Sequence, residues 1–85
     1  MIKTTVSVDG MACGMCEAHI NDAIRAAFPV KKVTSSHARK ETVILSNNRL
    51  DPEAVKRAIK GAGYTPLSVT EEAVDQKGLF HWGKI

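Results

Sequence analysis

Twice along this chain the apolar pattern switches from a period of two to a period near 3.6, and the order of those switches limits the folds open to it. Ile2, Thr4, Val6 and Val8 alternate with Lys3, Thr5 and Ser7, the pattern of a half-buried strand that Asp9-Gly10 ends. From Cys16 onward, Ile20, Ala23, Ile24, Ala27 and Phe28 fall on one stripe of a helix, which Pro29 stops. Val30 to about Ser36 and Thr42 to Ser46 read as a hairpin joined by the polar segment 37–41. Asp51-Pro52-Glu53 is a helix start, with Asp51 as N-cap, proline in the first helical position and an acid in the first turn. Leu50 and Val55 can staple it, Val55, Ala58, Ile59 and Ala62 make its stripe, and Gly61 or Gly63 can end it. Thr65 to Thr70 places Leu67 and Val69 on one side of a last strand, where Pro66 tolerates only an edge or a strand start.

Strand, helix, strand, strand, helix, strand is two successive βαβ units. Both helices need an apolar surface to cover. Stacking them on one face of a four-stranded antiparallel sheet gives an α+β fold, the ferredoxin-like βαββαβ sandwich. The second and fourth strands then lie at the edges, where Lys31-Lys32 and Pro66 discourage pairing between sheets. Eighty-five residues suit one domain. It covers residues 1–71, and 72–85 form a C-terminal extension. The apolar Leu79, Phe80, Trp82 and Ile85 of that extension are expected to pack back on the domain.

The charge of +3 is mild and most of the twelve basic residues are dispersed, which argues against a nucleic-acid binder. No apolar run approaches the ~18 to 20 residues needed to cross a bilayer, so membrane insertion is not expected. Met1 to Thr5 lack the layout of a secretory signal, which points to the cytoplasm. Thiols stay reduced there, and a cysteine pair in that compartment is more often metal-binding or catalytic than a structural staple.

Both cysteines of the chain lie in Gly10-Met11-Ala12-Cys13-Gly14-Met15-Cys16, between the first strand and the first helix. Two thiols three positions apart at a helix start converge on one point, where they can grip a soft metal ion or close a disulfide. Monovalent copper is satisfied by two or three sulfurs, whereas structural zinc normally takes four ligands. His19, His37 and His81 are the histidines available to complete such a set. His19 reads as a solvated flank residue, and His37 falls in the hairpin turn, which is expected to lie away from the thiols. Met15 reads as a partly exposed loop residue. Cys16 lies one turn before Ile20 and borders the core, while Cys13 sits earlier, in the loop, so one sulfur is expected to be anchored and the other mobile. No Ser, Thr, Asp or Asn caps this helix, and thiolates can take that role. The positive helix end should bring Cys13 or Cys16 below the ordinary thiol value of ~8.5. A thiol-disulfide oxidoreductase using the same pair is the enzyme alternative. The Gly14-Met15 spacer and the order of elements both speak against it.

The Gly-Met-x-Cys-x-x-Cys motif, placed between the first strand and helix of a βαββαβ chain, resembles the heavy-metal-associated domain family, in the manner of a small bacterial copper chaperone. The resemblance covers residues 1–71. It implies a carrier of Cu(I) rather than an enzyme, with Cys13 and Cys16 as the copper ligands, Met11 as a buried brace of the metal loop and Tyr64 as a neighbour of the site. By the same resemblance the partner is the metal-binding domain of a copper-transporting P-type ATPase or a copper-responsive regulator, and copper can bridge a homodimer through the exposed thiols. Mercury, zinc or cadmium remain alternative cargoes. Phe28-Pro29-Val30 departs from the glycine turn found in many such domains. Arg25, Lys56, Arg57 and Lys60 are placed to steer an acidic partner.

Overall fold

The computed structural model describes residues 1–74, in the order β1 (Ile2–Asp9), α1 (Gly14–Ala27), β2 (Lys32–Ser36), β3 (Glu41–Ser46), α2 (Pro52–Gly61) and β4 (Thr65–Ala73). The strands form one antiparallel sheet in the order β2-β3-β1-β4, the ferredoxin-like arrangement, with β2 and β4 at its edges. Alternation in β1 buries Thr4, Val6 and Val8, and these meet Ile20 and Ile24 of α1, Val55 and Ile59 of α2, and Val33 and Ile44 of the hairpin in a single core. Two polar side chains on the same face are paired: the Ser35 hydroxyl donates to Asn21 Oδ1 of α1 at 2.7 Å and lies 2.9 Å from the Thr42 hydroxyl, while the buried Thr4 hydroxyl has no partner among the described residues.

Asp51 caps α2 as its sequence requires, with the carboxylate accepting the Glu53 N–H at 3.0 Å and Leu50 buried beside Val55. The expectations for α1 need correction at both ends. Ala27 is exposed, because the chain leaves the helix at Phe28 in an extended conformation, and Phe28 itself is half-buried against the core. At the other end Cys13 is the N-cap residue and its side chain makes no capping hydrogen bond.

The last strand runs three residues further than its apolar pattern implied. Glu71, Glu72 and Ala73 continue the ladder opposite Thr4, Lys3 and Ile2. Arg49 reaches Glu71 at 2.8 Å and Lys3 reaches Glu72 at 3.8 Å, so the acids are paired by charge rather than by apolar burial. Near its start β4 carries a bulge: Ser7 faces Ser68 while Val8 faces Pro66, leaving Leu67 as the extra residue. Leu67 is accordingly 60% exposed while Val69 packs on the core, which separates two residues expected to act together. Leu79, Phe80, His81, Trp82 and Ile85, on which the expectation for the extension rested, lie outside the described residues.

Candidate metal centre

Antiparallel pairing gathers three connections at one end of the sheet. Ser7 pairs with Glu41, and the Val8 N–H donates to the Lys40 carbonyl at 2.8 Å, so the β2–β3 turn lies beside the end of β1. Asp9 pairs with Thr65, which brings Tyr64 to the same place. The segment Gly10–Cys13 leaves β1 between them. Gly10 adopts φ +99°, a conformation that side-chain-bearing residues rarely take, and a methyl group there would stand 3.7 Å from Tyr64 Cδ1. Met11 is buried and belongs to the core cluster.

Cys13 and Cys16 are free thiols with sulfurs 3.9 Å apart. The Cys13 carbonyl accepts the N–H groups of Cys16 at 3.1 Å and Glu17 at 3.2 Å, which winds the first turn and sets the two side chains side by side. Cys13 is exposed, whereas Cys16 is half-buried and packs against the core. With metal–sulfur bonds of ~2.3 Å, sulfurs at this spacing embrace one ion at a bent angle and leave its third side open. No group of three or more His, Cys, Asp or Glu side chains placed to hold a metal occurs among the described residues. Two thiols side by side are a donor set suited to a soft ion.

Tyr64 adjoins the pair, and its hydroxyl hydrogen-bonds to Cys16. That bond is the largest cause bringing the Cys16 thiol down to about 7; the backbone at Ala12 and Cys13 adds to it, against a smaller opposing effect of burial. A lowered thiol was expected from the helix end, but the main cause is a side chain from the far end of the chain. The phenol is pushed above its ordinary range in return, because its proton is held by Cys16. His19 is exposed, and its Nδ1 lies 3.4 Å from the Tyr64 hydroxyl, so the flank residue lies within reach of the phenol.

His37 contradicts its expected remoteness. The β2–β3 turn stands at the same end as the thiols, and Glu17 Oε2 accepts both the His37 backbone N–H at 2.8 Å and its Nδ1–H at 2.6 Å. A carboxylate has no proton to give, so the ring nitrogen is the donor. These two bonds hold the Glu17 carboxyl below the usual carboxylate range. Period counting along the sequence offers no signal for the contact, which arises from the sheet topology. Met15 is exposed on the loop side of α1, at 68%. Lys56, Arg57 and Lys60 line a shallow groove with Glu53, Thr65 and Pro66, next to the end of α2 that leads into Tyr64. Arg25 sits in the last turn of α1, at the opposite end from the cysteines, and pairs with Asp22 at 3.5 Å.

A βαββαβ sandwich with two unpaired thiols at an open loop–helix junction defines a soft-metal-binding domain. The profile of the heavy-metal-associated domain matches residues 5–65, and the chain belongs to that family. It is thus a heavy-metal-associated domain over most of its length. The chain is 31% identical over 71 residues to copper-transporting ATPase 2 of Rhizobium meliloti (strain 1021), covering 84% of this chain and 9% of that protein. It is 27% identical over 78 residues to a mercuric reductase of Serratia marcescens, covering 91% of this chain and 17% of that one. Among solved structures it resembles a CopZ metallochaperone with a TM-score of 0.71 at 20% identity, over 76% of this chain and 98% of that one. The chain thus spans less than a fifth of the length of these two sequence relatives. No helix among the described residues is long and apolar enough to cross a membrane.

Proposed function

We propose that this chain is a Cu(I) carrier that binds the ion through the Cys13 and Cys16 thiolates and passes it to a partner by ligand exchange. The observation that carries the reading is the asymmetry of the pair: two free sulfurs 3.9 Å apart, one exposed and one packed on the core. A partner thiolate can approach the open side of the ion, form a three-sulfur intermediate and displace Cys13, while Cys16 holds until the ion has moved. Tyr64 contributes by stabilising the retained thiolate, and Met11 by keeping the loop in place. Similarity to a copper-transporting ATPase supports the metal-binding domain of such a pump as the acceptor, with the carrier working in the cytoplasm. Lys56, Arg57 and Lys60 suit an acidic docking face.

Mercury(II), which also accepts two sulfurs, is the second reading, supported by the similarity to a mercuric reductase. Anaerobic titration of Cu(I) against a chromophoric chelator, with Hg(II) alongside and Cys13→Ser and Cys16→Ser as controls, separates the two. Tight, reversible Cu(I) binding that both substitutions abolish, followed by release to an added dithiol acceptor, is the expected result. Cu(I) binding that survives either substitution, or an ion that cannot be handed on, contradicts the proposal.

A further inference from the structure

Glu17 directly follows Cys16 beside the two-thiol centre. It lies four residues after Cys13, and its backbone N–H closes on the Cys13 carbonyl. Positions four apart share a helix edge, so a free carboxylate there would stand next to the thiols and offer an oxygen donor. Divalent zinc and cadmium accept such a donor and need more than two ligands, whereas Cu(I) does not. In the structure this carboxylate is not free. Both His37 donors converge on Oε2, one from the backbone and one from the ring, and they draw the side chain towards the β2–β3 turn. That turn is fixed by the ladder between β2 and β3, whose last pair is Ser36 with Glu41, and by the bond from Val8 to Lys40.

We propose that the Glu17–His37 latch is a metal-selectivity element, which withholds the carboxylate from the thiols and so keeps the centre a two-sulfur site that disfavours zinc and cadmium. The inference rests on Cys13 and Cys16 being the metal pair. A soft ion satisfied by two sulfurs is indifferent to the latch. A four-coordinate divalent ion loses a protein donor and has to complete its shell with water. His37 acts here as a specificity-determining residue that never touches the ion, and Glu17 as a ligand in waiting.

Zn(II) and Cu(I) affinities, each measured by anaerobic competition with a chromophoric chelator, test this on the wild type, His37→Ala, Glu17→Gln and the double variant. Removing the imidazole leaves Glu17 a single backbone donor, and Zn(II) affinity should rise about tenfold, the lower end of the usual effect of groups that orient metal ligands. Glu17→Gln alone should leave Zn(II) affinity unchanged, and the double variant should return to the wild-type value, since the gain requires the carboxylate. Cu(I) affinity should be the same in all four proteins, which also reports that each is folded; both side chains lie at the surface, at 46% and 27% exposure. Unchanged Zn(II) affinity in His37→Ala with Cu(I) binding intact overturns the selectivity role. So does a loss of Zn(II) affinity in Glu17→Gln, because the carboxylate would then already be a ligand. Cu(I) binding that persists in Cys13→Ser would instead overturn the underlying assignment of the thiols.

Discussion

Replacing Tyr64 by phenylalanine isolates what one hydroxyl does for the retained sulfur. In the folded chain the Cys16 thiol lies at about 7, and the Tyr64 hydroxyl is the largest cause. An unperturbed thiol sits at ~8.5, so about half of Cys16 is thiolate at pH 7 where only a few per cent would otherwise be. Loss of the hydroxyl that raises the value by roughly one unit leaves about a tenth ionised at that pH. Metal and proton compete for the same sulfur, so apparent Cu(I) affinity at pH 7 should fall about fivefold, and variant and wild type should converge above pH ~9. The assay is ultraviolet thiolate absorbance across pH on the reduced protein in a Cys13→Ser background, with Cu(I) competition on the parent pair at both pH values. Tyr64 is the single tyrosine of the chain and its own ionisation is pushed upward, which keeps phenolate absorbance out of the neutral range. The sign for stability follows from the same shift. The folded value lies below the unfolded one, so the thiolate's contribution is complete above pH ~8.5 and is lost as pH falls through about 7. Tyr64→Phe should flatten that dependence. An unmoved Cys16 midpoint refutes the reasoning, and so does a loss of Cu(I) affinity that persists at pH ~9, where proton competition has ended.

Further expectations concern the frame around the centre. Asp51→Ala removes the cap on α2 and should cost about 1 kcal/mol, lowering the thermal midpoint by roughly 4–8 °C, with Asp51→Ser recovering most of it in circular-dichroism melts. Gly10→Ala forces a side chain into φ +99° and should cost on the order of 1–3 kcal/mol, although its methyl group meets Tyr64 at an ordinary contact distance. A destabilisation within experimental error would show that the loop can relax to another conformation. Charge reversal at Lys56 and Arg57 should slow copper transfer to an acidic acceptor domain by about tenfold at low salt and remove most of the salt dependence. Arg25, already paired at the far end of α1, should contribute least. Stopped-flow transfer rates at two ionic strengths check both statements.

The fold was legible because its signals are local and agree with one another. Period-two alternation in Ile2–Val8, the helical stripe through Ile20 and Ile24, and the Asp51-Pro52-Glu53 start each specify one element, and the order of elements leaves few topologies. Cys13 and Cys16 stood out because their spacing and context are unusual. Local reading failed where contacts depend on register. Leu67 is exposed because of a one-residue bulge that no alternation rule encodes, and the end of β4 is held by charge pairs from Arg49 and Lys3. His37 was placed away from the thiols because it falls in the hairpin turn, which was assigned to the wrong end of the sheet. Antiparallel pairing of β1 with β3 returns its turn to the metal end. The lowered Cys16 thiol was anticipated from the helix terminus, but the phenol that chiefly causes it comes from the loop before β4.

X-ray absorption at the copper edge of the Cu(I)-loaded chain tests the central idea most directly, because it counts the atoms bound to the ion. Two sulfur neighbours and no nitrogen or oxygen, with the signal absent when both cysteines are replaced by serine, is the result expected. A nitrogen or oxygen neighbour from the protein, or an unchanged spectrum in the serine variant, would show that the ion is held elsewhere.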